Sequence, residues 1–307
     1  MSFVYFFAGE HAKEVMDYQA EHGCNILRSY VNDQLGISRW IERRKSGQWK
    51  GGLFLIDSGA FTAHTRGVDI DIDKYIDWLN ERDEYIDYFI VLDKIPGKWG
   101  QPKTHADVEE GAKKSWENYW YMRERVKSPQ KLLPVFHQGE NPLWLKKYLD
   151  IEPKLDYICF GGNKELDREN RQHWYSQCFQ IIRQSSNPDV KVHCLGSGTF
   201  SDVELFPFYS MDSTTWVHAS ASAEVRTPLG TFNVASKKVD KNHIKYNPVA
   251  YEYVRGLCDG FGLSVERLCE DYKERLKFAT RIYLKGSEET ETTYYSKPRH
   301  EKRQLFD

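Results

Sequence analysis

Six apolar runs in this chain stop abruptly at residues able to do chemistry or to bend the backbone closely around a ligand. Leu53-Phe54-Leu55-Ile56 meets Asp57-Ser58-Gly59-Ala60-Phe61, and Tyr88-Phe89-Ile90-Val91-Leu92 meets Asp93. Leu132-Leu133-Pro134-Val135-Phe136 runs into His137-Gln138-Gly139, and Tyr157-Ile158-Cys159-Phe160 into Gly161-Gly162. Val190 to Leu195 leads to Gly196-Ser197-Gly198, and Phe208-Tyr209-Ser210-Met211 to Asp212-Ser213-Thr214-Thr215. Singly, each tip has an ordinary structural use: Asp and Ser cap helices, Asp before Lys94-Ile95-Pro96-Gly97 starts a turn, and glycine pairs make turns. Together they are harder to explain as structure. Three carboxylates meeting at one place repel each other unless they share a proton or a substrate.

Runs buried on both faces and ended by polar or glycine tips are the pattern of a parallel barrel, whose chemistry gathers at the carboxyl ends of its strands. Between the runs lie charged amphipathic stretches long enough for crossover helices, at Asp73 to Arg82, Ala106 to Val126, Pro142 to Leu149 and Arg168 to Gln184. Two earlier runs, Phe3 to Ala8 and Asn25 to Tyr30, supply the first strands. Beyond Asp212 the pattern changes. Glu224 to Lys245 reads as a hairpin or extended insertion, and Pro248 to Leu257 and Ser264 to Leu284 read as helices. The expected organisation is one domain over residues 1–286 and a polar, flexible tail over 287–307.

A chain of 307 residues, 40% hydrophobic and 14% aromatic, can fill one barrel core. A formal net charge of −2 excludes a generally basic binder, so nucleic acid would have to meet local patches. Six cysteines, Cys24, Cys159, Cys178, Cys194, Cys258 and Cys269, show no disulfide-like spacing, which fits reduced thiols. There is no basic-then-apolar leader pattern and no apolar stretch of the ~20 residues a bilayer requires. The expectation is a cytoplasmic protein without membrane contact, in the host cytoplasm if a phage encodes it.

The ordered series Asp57-Ser58-Gly59-Ala60-Phe61, Leu92-Asp93, Gln138-Gly139, Gly161-Gly162, Leu195-Gly196-Ser197-Gly198 and Met211-Asp212-Ser213 resembles the tRNA-guanine transglycosylase superfamily. The resemblance covers about Leu53 to Trp216. It implies a TIM-type (β/α)8 barrel, here with a hairpin-like insertion and a short helical carboxyl-terminal extension. It also implies an enzyme that exchanges guanine for a 7-deazaguanine base. The chain departs from the tRNA enzymes in having Ala60 and Thr62 where a second glycine and a glutamine are usual, and Ser213-Thr214-Thr215-Trp216 after the nucleophile position. It also lacks any Cys-x-Cys-x-x-Cys followed by a distant His, so no structural zinc and no other cofactor is expected; Cys258 and Cys269 with His243 are poorly spaced substitutes. A compact chain without the zinc motif is most similar to the DpdA group, including its bacteriophage versions, which inserts 7-deazaguanines into DNA.

By this resemblance Asp212 is the nucleophile that holds the sugar carbon between two displacements, and Asp57 is the general acid and base. Asp93 would accept the adjacent N1–H and N2–H donors of guanine, and Gln138 would donate to O6. Backbone near Gly139, Gly161 and Gly162 would approach the base, with Ser58 helping. Phe61 is open to two readings, stacking on the base or ordinary core packing. A base inside a duplex must be extruded first. Strand contacts are expected from Arg226, Lys237, Lys238, Lys241 and Lys245, and from Arg39, Arg43, Arg44 and Lys45 beside Trp40 and Trp49, unless these are plain solvated charges. The partners implied are DNA and a free 7-deazaguanine, by default the 7-cyano form with its small substituent, and homodimerisation is possible. Three other readings stay open: the same chemistry on tRNA, a non-catalytic nucleic-acid-binding subunit, and a metal-dependent barrel hydrolase using Asp57, Asp93, His137 and Asp212.

Overall fold

Pro134 carries no N–H to give to a neighbouring strand, and it divides one strand into two pieces that each pair with a different neighbour. In the computed structural model, which describes residues 3–9, 12–162, 167–196, 199–236 and 240–290, the parallel strands are β1 (Val4–Phe7), β2 (Asn25–Ser29), β3 (Phe54–Asp57) and β4 (Tyr88–Ile90). They continue with the two pieces β5 (Leu132–Leu133) and β6 (Val135–His137), then β7 (Tyr157–Gly161), β8 (Lys191–Cys194) and β9 (Ser210–Ser213). The order is β5-β4-β3-β2-β1-β9-β8-β7-β6. Since β5 and β6 are one strand interrupted at Pro134, the two ends of that order are the same strand and the sheet closes. The Pro134 carbonyl still accepts from the Cys159 N–H at 2.9 Å, which ties the break to β7. The result is an α/β barrel of the TIM type, as expected.

The outer helices are α1 (Lys13–Glu21), α2 (Gln34–Lys45), α3 (Ala60–Arg66), α4 (Ile72–Arg82), α5 (His105–Arg123), α6 (Pro142–Leu149), α7 (Arg168–Arg183), α8 (Phe200–Leu205) and α9 (Thr215–Ala221). Their starts follow the local chemistry. Thr104 and Asp107 form a capping box on α5, Thr199 and Asp202 another on α8, and Asn141 caps α6 with Pro142 at its first position.

After the barrel, β10 (Glu224–Thr227) and β11 (Gly230–Asn233) form an antiparallel hairpin that packs with α10 (Pro248–Phe261), α11 (Val265–Glu270) and α12 (Tyr272–Glu289). Val225, Phe232, Ile244, Val254, Leu268 and Phe278 make a second, smaller apolar cluster there. The helical stretch expected over Ser264 to Leu284 is broken at Asp271, whose side chain caps α12. Helix α12 also runs through the expected start of the tail at residue 287; residues 291–307 lie outside those described.

Strand register fixes what faces the barrel axis. Ser29 pairs with Asp57, Leu27 with Leu55, His137 with Gly161, Cys159 with His193, and Phe6 with Asp212. With side chains alternating along each strand, these residues share the inner face. The floor is aromatic, with Tyr157 edge-on to Tyr88 and Tyr209. The middle layer holds Phe6, Leu55, Cys159 and His193, and the top layer, at the carboxyl ends, is polar. Gly59 makes the turn that presents Asp57 there. Its φ is +83°, and a Cβ at that position would lie 2.7 Å from the Val31 Cβ. A Gly59→Ala variant is therefore expected to lose about 2–4 kcal/mol of stability, seen in urea unfolding as a lower midpoint at unchanged slope.

Candidate active site

The three tip carboxylates do converge on the barrel mouth, and each is held by different partners. Asp57 stands at the end of β3, and its Oδ2 accepts the Gly59 N–H at 3.1 Å. Burial, reinforced by the negative charges of Asp93 and then Asp212, raises its pKa to about 7, against the lowering effect of the Gly59 and Ser29 hydrogen bonds. The residue as a whole is half-buried. Asp57 thus carries a proton part of the time near neutral pH.

Asp93 is paired with a buried cation. Its Oδ2 meets His137 Nε2 at 2.8 Å, and His137 Nδ1 meets Glu140 Oε1 at 2.9 Å. Burial opposes charge on this imidazole, but hydrogen bonds to Asp93 and then Glu140 outweigh it and raise the pKa to about 10. At neutral pH His137 is an imidazolium clasped by two carboxylates, with no lone pair to offer a metal. Among the described residues no group of three or more His, Cys, Asp and Glu is placed to hold a metal ion. Gly161 makes room for this ring: a Cβ there would lie 3.2 Å from His137 Cδ2 and 3.1 Å from Val135 Cγ1. Ser58, fully buried, stands 3.5 Å from Asp93 Oδ1 and accepts the Ala60 N–H at 3.3 Å, so it links α3 to the second carboxylate.

Asp212, at the end of β9, receives the Gly196 N–H on Oδ1 at 2.6 Å and His193 Nε2 on the same oxygen at 3.3 Å. His193 Nδ1 lies 2.5 Å from Ser210 Oγ, which in turn contacts the Tyr157 hydroxyl. Burial keeps the Tyr157 phenol protonated, and Tyr157, Ser210, His193 and Asp212 form one buried hydrogen-bonded chain.

The other expected ligands of the base fall around the same opening. Gln138 donates its backbone N–H to the Gly161 carbonyl at 2.9 Å and its side chain is half-buried. Gly139 and Gly162 both have positive φ, at +92° and +73°. Phe61 is 51% exposed, which removes the core-packing reading; its ring stands edge-on to Trp99, with centroids 5.7 Å apart.

The expected nucleic-acid contacts divide. Arg226, Lys241 and Lys245 are exposed on the hairpin side, while Lys237 and Lys238 lie outside the described residues. Arg43 and Arg44 are not available. Helix α2 starts at the mouth and descends the outside of the barrel, so its last turn reaches the opposite end. Arg43 is buried there, with Nη2 at 2.6 Å from Asp17 Oδ1. Arg44 donates to Asp87 and to the carbonyls of Tyr85 and Gly52, and lies over the Trp49 ring. Trp40 and Trp49 are core residues, so the mixture of basic and aromatic side chains here is internal packing.

Sequence reasoning missed His193, Glu140 and Tyr157. His193 gave no signal of its own: its pairing with Cys159 and Ser210 is what places it on the inner face. No family model and no curated protein matches this chain. Among solved structures, a candidate fructose-1,6-biphosphate aldolase from Coccidioides immitis is similar at 12% identity and a TM-score of 0.49, over 94% of this chain and 92% of that one.

Two outcomes test these assignments. Asp57 ionises near its ordinary pKa when unfolded but only near 7 when folded, so its cost to stability grows as pH rises from about 4 to about 7 and is constant above. Asp57→Asn is therefore expected to be more stable than the parent by roughly 1–3 kcal/mol at pH 8, with the advantage shrinking toward pH 4 in unfolding experiments. Arg43→Ala is expected to lose about 1–3 kcal/mol of stability while binding single-stranded DNA as the parent does in an anisotropy titration.

Proposed function

We propose that the protein is a base-exchanging transglycosylase that replaces guanine in DNA by a 7-deazaguanine, through a covalent glycosyl-aspartyl intermediate. The observation that carries this reading is the division of three adjacent carboxylates into different electrostatic environments. A retaining double displacement needs one carboxylate that stays ionised to attack and another that exchanges a proton near neutral pH. Asp57, with its pKa near 7, suits proton transfer, and Asp212, held by an amide N–H and His193, suits attack.

In the first displacement an Asp212 oxygen attacks C1′ and the bond to the guanine nitrogen breaks, with the proton supplied by Asp57. The incoming base then gives a proton to Asp57 as its nitrogen attacks C1′ and the bond to Asp212 breaks. The contacts of Gly196 N–H and His193 with one oxygen aim Asp212. Asp93 receives the N–H edge of the base. With Oδ2 engaged by His137, Oδ1 is the oxygen turned to the ligand, next to Ser58. Adenine, which lacks the N1–H and N2–H pair, would leave that acceptor with only its long contact to Ser58, at a cost of about a few kcal/mol.

A pure binding subunit would gain nothing from a proton-exchanging Asp57 beside Asp212, and this supports an enzyme. The choice of DNA over tRNA rests on the sequence resemblance alone. The deciding experiment is incubation with DNA and 7-cyano-7-deazaguanine, nucleoside mass spectrometry, and a parallel tRNA reaction. Modified deoxyguanosine is expected from the parent chain and none from Asp212→Ala. Modification of tRNA alone would move the assignment to the RNA polymer, and no product on either would defeat the transglycosylase reading.

A further inference from the structure

Beside the mouth is a second concavity, of about 340 Å³, built by the two loops that also carry Asp57 and Asp93. Phe61 follows Asp57-Ser58 on the first turn of α3. Ile95, Lys98, Trp99 and Lys103 belong to the segment that follows Asp93. The volume is at the lower end for a small-ligand site, which falls in the range of roughly 300–1,000 Å³. Trp99 is 56% exposed, unusual for an indole that serves only structure. Phe61 and His64 both stand perpendicular to its ring, at 5.7 and 6.5 Å.

The surroundings are positive. Lys94, Lys98 and Lys103 are exposed, and neither Lys94 nor Lys98 makes an ion pair with any described residue. Asp107, which accepts from Thr104 in the α5 capping box, also feels the Lys98 charge, which helps to lower its pKa. His64 feels this field, its pKa being lowered by burial and then by the charges of Lys94 and Lys103. An exposed indole flanked by two rings, with exposed ammonium groups around it, matches a base with its phosphate, because every nucleobase offers a π-face and the backbone offers the negative charge.

We propose that this concavity is a nucleotide-binding site distinct from the guanine pocket, which takes the nucleotide adjacent to the target, stacking its base on Trp99 and setting its phosphate on Lys98. The identity of the strand that arrives rests on the transglycosylase reading; the binding chemistry does not. Strand held here would fix the backbone next to the extruded guanine, so that the target base enters the mouth with its neighbour already anchored.

The test is anisotropy titration of a labelled oligothymidylate, which has no guanine to occupy the mouth. Trp99→Ala is expected to weaken binding roughly 5- to 100-fold, Trp99→Tyr to keep most of the affinity, and Lys98→Ala to lower the slope of log affinity against log salt by about 1. Equal affinity of the parent and Trp99→Ala, or no binding of oligothymidylate by the parent, would overturn the site. Tighter binding of oligouridylate with the same dependence on Trp99 would support the site with RNA as the strand. The two conclusions separate cleanly: exchange in DNA with binding indifferent to Trp99 removes this site only, whereas Trp99-dependent binding without exchange on either polymer removes the transglycosylase reading only.

Discussion

Like-charge repulsion among Asp57, Asp93 and Asp212 is the constraint around which the barrel mouth is arranged. Each carboxylate escapes it differently. Asp93 is neutralised by the His137 imidazolium, Asp57 takes a proton, and Asp212 shares its charge with the Gly196 N–H and His193. The three solutions differ in how easily charge can move. An ion pair locked by Glu140 from behind is fixed, a carboxyl with its pKa near 7 is exchangeable, and a carboxylate with two donors on one oxygen is oriented. One problem of electrostatics has been solved in three ways, so that three neighbouring carboxylates stand in three different environments.

Backbone geometry makes those solutions possible. Gly161 leaves the space in which the His137 ring can reach Asp93, and Gly59 allows the chain to turn while its Asp57 stays inside. Pro134 interrupts a strand without opening the barrel, because the two short pieces on either side each keep a neighbour. Substitution at these points would disturb charges they never touch.

Much of this was legible in the sequence because a buried parallel strand and its tip contrast so sharply. An apolar run ended by Asp or Gly is hard to mistake, and the closed barrel and its mouth residues emerged from six such endings. What lay within the strands was less visible. His193 and Tyr157 are polar groups inside largely apolar runs, and only the register between strands reveals that they face inward and form one chain to Asp212. Glu140 lies three residues beyond His137, past a glycine, where a turn and not a pattern brings it back. The arginines of α2 misled for a physical reason: guanidinium groups beside tryptophans describe a strand-binding groove and a buried cation–π contact equally well. The direction in which α2 runs decides between them.

The first strand of the chain lies between β2 and β9, with Val4 beside Ser210 and Phe6 beside Asp212, and α1 is joined to α12 through Glu14 and Lys277. During synthesis β1 therefore waits with one edge unpaired until some two hundred further residues have left the ribosome, and the strand carrying Asp212 is the last to enter the barrel. Such late pairing of distant segments is slow and leaves a sticky intermediate. The same order ensures that no partly made chain can hold Asp212 against the other two carboxylates: the cluster is assembled only in the step that closes the barrel.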